Sequence, residues 1–118
     1  MVDKKDKLRE DAIELAICVS DICGEVKGCS VYVNQLLRSS SSVGANIHEA
    51  KYAQSRADFI HKLEIALKEC SETEYWIELL LRKGKIASEQ SILITKLAGS
   101  IRRRLIASIT TAKSNERP

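Results

Sequence analysis

QLLRSSSSVGANIHEA, residues 35–50, is the segment of this 118-residue chain that most constrains its architecture. Its apolar and small residues recur at alternating intervals of four and three: Leu36, Ser40, Val43, Ile47 and Ala50. This spacing places them on one face of a helix, as in the seam of a coiled coil. The serines and the glycine lower the intrinsic helix propensity. The helix therefore depends on tertiary packing, and its small side chains allow a neighbouring helix to approach closely.

Three further segments carry apolar stripes with helical spacing, and short turns separate them. Gly28 and Gly84 follow two of the stripes and are typical of helix C-termini. Ser55 and Ser88 precede stripes and are predicted N-caps. The one proline is the last residue, so no proline interrupts a helix. We predict an all-α, antiparallel up-down-up-down four-helix bundle in a single domain, with helices at about 6–27, 31–53, 56–83 and 89–112 and a polar tail at 113–118.

The composition predicts a cytoplasmic protein without a membrane partner. A hydrophobic share of 44% suits one domain with its own core. No segment approaches the roughly 18 apolar residues that span a bilayer, and the N-terminal residues lack the apolar segment of a signal peptide. The cysteines form no Cys-x-x-Cys motif, so we expect small buried side chains in a reducing compartment at Cys18, Cys23, Cys29 and Cys70.

The residues that would build a catalytic or metal site are missing from the sequence. Helix bundles that bind two iron ions use Glu-x-x-His pairs, and no glutamate here has a histidine three residues later. The serines near His48 lack the strand-turn-helix context of a catalytic nucleophile. Gly44 is a lone glycine and forms no phosphate-binding loop. We therefore predict a protein that is not an enzyme, with no catalytic residue, metal or cofactor.

Polar side chains interrupt the predicted second helix at Arg38, Asn46 and Glu49. Arg38 and Glu49 are eleven residues apart, so they cannot pair with each other within one helix. We predict that these three residues belong to a polar cluster or interface with partners on other helices or another subunit, where buried members must be hydrogen-bonded. Solvated positions on the helix surface are the alternative. Trp76 is expected to serve as a core or interface anchor.

Basic residues concentrate near the C-terminus. Residues 96–118 hold six bases and one acid, whereas residues 1–25 hold four bases and seven acids, in a chain of net charge +3. Such asymmetry favours a polyanionic partner or self-assembly. The candidate nucleic-acid contacts are Lys96, Arg102, Arg103, Arg104 and Lys113. Two alternatives stay open: a solvated helix face, or pairing of the arginines with the acidic first helix.

Apolar residues outside the main stripes predict self-association. These residues are Ile13, Ile17, Ile60, Leu67 and Trp76. One four-helix core cannot easily bury all of them, and a large exposed apolar patch marks an interface.

QLLRSSSSVGANIHEA, with the following SRADFIHKLEIALKECSETEYWIELLLRKGKI, resembles the four-helix-bundle family of ribosomal RNA intervening-sequence proteins. The resemblance rests on the Arg-Ser-Ser, Ala-Asn-Ile and Glu-Tyr-Trp segments that begin at residues 38, 45 and 74. This family of small bacterial proteins includes the accessory variability determinant of diversity-generating retroelements. The resemblance implies a ring-shaped homo-oligomer, with five copies as the best guess. It also implies a nucleic-acid partner, with RNA favoured over DNA.

The sequence supports two hypotheses for the function. The first is a non-enzymatic homo-oligomer that binds structured RNA through a basic surface. The second is a protein-directed adaptor or scaffold, such as an accessory subunit to a reverse transcriptase, which the resemblance also suggests.

Overall fold

Four α-helices make up the computed structural model, which describes residues 7–115. They are α1 (Lys7–Cys23), α2 (Ser30–Ala50), α3 (Arg56–Arg82) and α4 (Ser88–Ser114). The described part of the chain contains no β-strand. The all-α prediction is confirmed.

The helices form an antiparallel bundle in which each packs against two neighbours. α1 contacts α2 and α4, and α3 contacts the same two helices. Arg38 in α2 pairs with Glu69 of α3, whereas Glu49, further along α2, pairs with Lys62, which comes earlier in α3. α2 and α3 therefore run in opposite directions. So do α3 and α4, in which Glu64 pairs with Lys113 and Glu74 with Arg102. The same holds for α1 and α2, in which Arg9 donates to His48 and Ala12 faces Gly44. The predicted up-down-up-down topology is confirmed.

The predicted stripes meet in one core. Its largest fully buried apolar side chains come from all four helices: Leu15, Val19, Leu36, Val43, Ile77, Leu80, Ile94, Ile101 and Leu105. Ile60 differs from the prediction, because it was expected to remain outside the core and is only 6% exposed. It precedes Leu63 by three residues, so the two side chains share one helix face.

α1 ends earlier than predicted, at Cys23 rather than near residue 27. The reversal that follows contains Gly28 and Cys29, whose φ angles are 79° and 55°. Left-handed backbone cannot continue a right-handed helix, and glycine adopts it without a steric penalty. α2 likewise ends at Ala50 instead of residue 53. Asp6, where the first helix was predicted to begin, lies outside the described residues.

The ends of α3 match the prediction, whereas the start of α4 does not. The Ser55 Oγ accepts a hydrogen bond from the Asp58 amide at 3.0 Å, and Gly84 has the expected positive φ of 71°. Ser88 is already helical, so the predicted N-cap there is wrong, and Ala87 occupies that position. The Ala87 amide donates to the Gln90 side chain at 2.8 Å, which satisfies the amide of the N-cap residue itself. α4 continues to Ser114, so the predicted polar tail begins inside a helix.

The four cysteines are free, and two of them are buried as predicted. Cys23 and Cys70 lie in the core, whereas Cys18 and Cys29 are only half-buried. Burial raises the pKa of the Cys70 thiol to about 12, and its Sγ donates to the Ala98 carbonyl at 3.2 Å. Cys70 is therefore a protonated, unreactive side chain. None of α1 to α4 is long and apolar enough to cross a membrane.

A substitution at Ser40 tests how closely α2 approaches α1. It is 1% exposed, one turn before Gly44, whose Cα faces Ala12 of α1. Ser40→Leu is expected to lower the free energy of unfolding by about 1–2 kcal/mol, because the larger side chain overpacks the seam. The matched change at an exposed serine of α3, Ser71→Leu, should stay within about 0.5 kcal/mol. Urea unfolding measures both, and equal small effects would show that the seam has spare room.

Candidate nucleic-acid interface

The three consecutive arginines of α4 have three different surroundings. The Arg102 Nε donates to the Glu74 carboxylate of α3 at 3.0 Å. The Arg104 Nη1 donates to Asp11 of α1 at 2.7 Å. Arg103 is exposed and contacts no carboxylate in residues 7–115. Of the alternatives left open by the sequence, pairing with the acidic first helix therefore describes Arg104 alone.

The two lysines among the predicted nucleic-acid contacts also differ. The Lys113 Nζ donates to Glu64 of α3 at 3.1 Å. Lys96 is exposed and, within the described chain, has no acidic partner. It precedes Arg103 by seven residues, about two turns, so both side chains face the same side of α4. The structure thus divides the five predicted residues into three interhelical contacts and one outward-facing pair.

A polar cluster between α2 and α3 centres on Arg38. The Arg38 Nη1 donates to the Glu69 carboxylate at 2.7 Å, and its Nη2 contacts that of Glu72. The Glu72 carboxylate also accepts from the Trp76 indole at 2.9 Å. The Gln35 side chain accepts from the Arg38 Nε at 3.1 Å. Two of the four residues predicted for a polar cluster or interface, Arg38 and Trp76, therefore meet here.

Asn46 and Glu49 lie outside the Arg38 cluster, and of the two only Glu49 has a partner on another helix. The Asn46 Nδ2 donates to the Ser42 carbonyl of its own helix at 2.9 Å. The Glu49 carboxylate accepts from Lys62 at 3.0 Å. Three helical turns, roughly 16 Å, separate Arg38 from Glu49 along α2, so each meets a different part of α3.

The two acids that complete the Arg38 cluster, Glu69 and Glu72, were not among the predicted site residues. Glu69, Glu72 and Trp76 follow one another at intervals of three and four residues. This spacing places polar groups along one side of α3 and could have indicated a surface that meets a basic residue of a neighbouring helix.

A groove of about 680 Å³ runs between α1 and α2. Ile13 and Ile17 form part of its wall, with exposures of 38% and 51%, and small residues such as Ala16 and Gly44 line the rest. Leu67 and Trp76, which were also predicted to remain outside the core, pack partly against it. Further exposed apolar side chains that the prediction did not include lie on α4: Ile92, Leu93 and Ile106.

Most ion pairs of the described residues join two helices. Every buried side-chain nitrogen and oxygen in residues 7–115 has a hydrogen-bond partner. No group of three or more histidine, cysteine, aspartate or glutamate side chains in that range could hold a metal ion. The arrangement supplies interhelical ion pairs, a groove with apolar walls and an outward-facing pair of cations.

Comparison with known proteins assigns the family. The model of the 23S rRNA-intervening sequence protein family matches residues 4–107. The chain belongs to this family. A crystal structure from Bacteroides thetaiotaomicron, described as a protein of unknown function from the S23 ribosomal protein family, is 44% identical with a TM-score of 0.82. The match covers 86% of this chain and 97% of that one. Among curated proteins, none matches the chain.

The family resemblance found in the sequence is confirmed for this intervening-sequence protein. The family model extends beyond residues 35–86, which carried the resemblance, and includes α1 and most of α4. The fold of this chain matches nearly the whole length of the related crystal structure.

Glu72 gives the Arg38 cluster of this intervening-sequence protein a pH dependence. The Trp76 indole N–H lowers the pKa of Glu72, and the Arg38 guanidinium lowers it further, against the opposing effect of burial. A lowered folded-state pKa means that the folded protein binds fewer protons than the unfolded chain in acid. The resulting stability is present above the ordinary glutamate value of about 4.3 and is lost as the pH falls through the lowered value.

Glu72→Gln is therefore expected to flatten the decline in stability below about pH 4.3, because the amide cannot take up a proton there. Urea unfolding at a series of acidic pH values measures this slope. Glu78→Gln, at an exposed carboxylate of the same helix, controls for the loss of a surface charge. An unchanged acid slope in Glu72→Gln would contradict the contribution of Glu72.

Proposed function

We propose that this intervening-sequence protein is a non-enzymatic homo-oligomer of the cytoplasm that binds structured RNA through the outward face of α4. The observation that carries the proposal is the charge of that helix. Residues 88–114 hold five bases and one acid, Glu89. Lys96 and Arg103 project from this helix with no carboxylate partner in residues 7–115.

Unpaired cations on one face of a helix can bind the phosphates of a polyanion. Lysine and arginine that contact phosphates release condensed counterions, which makes binding strong at low salt and independent of base sequence. The matching family model is named for 23S rRNA, which favours RNA over DNA as the partner. Self-association would repeat Lys96 and Arg103 in every copy and raise the local positive potential.

Fluorescence anisotropy with a labelled RNA hairpin tests the proposal. The purified chain is expected to bind, with a logarithm of the association constant that falls linearly with the logarithm of salt concentration. A DNA duplex of the same sequence serves as the comparison, and weaker binding to it is expected. Absence of binding to the hairpin at low salt would overturn the proposal.

The groove between α1 and α2 supports the self-association. Ile13 and Ile17 expose apolar surface beside small residues, which allow close approach of another helix. We infer that a second copy of the chain covers this surface, in a ring for which the family resemblance suggests five copies. Light scattering should give a mass several times the 13.2 kDa of one chain.

A protein-directed adaptor is the second candidate, and the aromatic residues near Arg38 favour it. Tyr32 stacks on Trp76 with ring centroids 5.9 Å apart, and Tyr75 approaches the indole edge-on at 5.0 Å. Tyr75 is 60% exposed. Aromatic residues and arginine are enriched in protein interfaces. A reverse-transcriptase gene beside this one would favour the adaptor, whereas a position inside an rRNA gene would favour RNA binding.

A further inference from the structure

Two guanidinium groups converge over Gly99 in the middle of α4. A Cβ atom placed on Gly99 would lie 3.4 Å from the Arg103 Nη1 and 3.5 Å from the Arg102 Nη2. Arg102 and Arg103 therefore fold back over the backbone of the preceding turn. Both groups lie at ordinary contact distance from the position that a Cβ would take, so a side chain longer than that of alanine would meet them.

The helix geometry explains this convergence. Residues three and four positions after Gly99 lie on its side of the helix. Side chains in an α-helix tilt towards its N-terminus, which directs both arginines back to Gly99. Glycine in a helix interior lowers helix stability, so Gly99 is unfavourable for α4 as an isolated helix. A side chain longer than that of alanine would displace the two guanidinium groups from this position.

The charges at this position are incompletely balanced. Glu74 is bound to the Nε of Arg102, and Arg103 has no carboxylate partner in the described chain. One carboxylate therefore lies beside two cations, and it is bound to Arg102 alone. Glu74 also fixes the orientation of the Arg102 guanidinium while leaving its Nη2 on the side of Gly99. A second anion that approached both groups would relieve the repulsion between them.

We infer that Arg102 and Arg103, folded over Gly99, form a clamp for one phosphate of an RNA backbone. This inference rests on the proposed RNA-binding function and assigns the contact to these residues. Planar guanidinium groups donate parallel hydrogen bonds to phosphate oxygens. Arg102 is the fixed arm, held by Glu74, and Arg103 is the exposed arm. The clamp contacts phosphate only, so it positions RNA without specifying its sequence.

Substitution of the exposed arm gives the first test, with the labelled RNA hairpin at several salt concentrations. Arg103→Gln is expected to weaken binding several-fold and to reduce the salt slope by about 1, the loss of one phosphate contact. Lys96→Gln removes the same charge from the same face and should have a clearly smaller effect. Arg103→Lys should restore binding only in part, because an ammonium group cannot donate as a planar fork.

Substitution of Gly99 gives the second test. A Cβ alone would lie at ordinary van der Waals distance from both guanidinium groups, so Gly99→Ala should keep wild-type affinity for the hairpin. Its melting temperature should rise, because alanine favours the helix more than glycine does. The longer side chain of Gly99→Leu would occupy the position of the two guanidinium groups, so its affinity should fall. Wild-type affinity in a folded Gly99→Leu would overturn the clamp.

The outcomes separate the clamp from the broader function. If the wild-type protein does not bind the hairpin, the proposed function fails and the clamp fails with it. If the wild-type protein binds but Arg103→Gln and Lys96→Gln weaken binding equally, RNA binding stands and the clamp is overturned. Circular dichroism of each variant at the assay temperature confirms that the compared proteins are folded.

Discussion

Replacing Arg38 with methionine is expected to lower the free energy of unfolding by about 2–3 kcal/mol. The change removes the guanidinium that lies between Glu69 and Glu72, and the two carboxylates then face each other without a counterion. The Glu69 side chain is only 9% exposed, so water solvates its charge poorly. Loss of one partner from a fully buried pair costs about 3–5 kcal/mol. The 48% exposure of Arg38 places the expected effect below that range.

Two further variants identify the cause of the Arg38→Met effect in urea unfolding. Adding Glu69→Gln to Arg38→Met should recover part of the stability, because a buried amide costs less than an unpaired carboxylate. Arg82→Met breaks an exposed pair with Glu78 and should cost less than about 0.5 kcal/mol. If Arg38→Met costs no more than Arg82→Met, the cluster contributes no net stability.

The helices could be predicted from the sequence because their stripes are long and regular. Leu36, Val43 and Ile47 keep helical spacing across a run of four serines. The free energy gained by burying this face outweighs the low helix propensity of the serines. The end of α1 was harder to place. Apolar spacing continues to Val26, whereas the backbone leaves the helix after Cys23 to make the left-handed reversal.

The site was less predictable, because the rotation of each helix decides which charges meet. Arg102, Arg103 and Arg104 are adjacent in sequence but span about 200° around the helix axis. Arg102 therefore reaches α3, Arg104 reaches α1 and Arg103 faces outward. Arg104 and Asp11 are 93 residues apart, and no local pattern links them. The role of Gly99 depends on the direction of two flexible side chains, which spacing alone does not determine.

Ile17→Glu is expected to convert the proposed oligomer into monomers, with the mass from light scattering falling towards 13.2 kDa. Ile17 is 51% exposed beside the groove between α1 and α2, where we propose that a second copy packs. A carboxylate buried there without a basic partner would cost several kcal/mol in each contact. The fold should persist, because Ile17 lies outside the core, and the melting temperature of the isolated monomer checks this.

Ile92→Glu on α4 is the matched control, because Ile92 is 56% exposed and lies on the helix proposed to face RNA. It should leave the oligomer intact. If Ile92→Glu dissociates the oligomer and Ile17→Glu does not, the interface lies on α4. That result would place Lys96 and Arg103 beside a subunit contact and make RNA and self-association compete for one surface. A wild-type protein that is monomeric at micromolar concentration would contradict self-association. The apolar groove between α1 and α2 would then be exposed to solvent in the native protein.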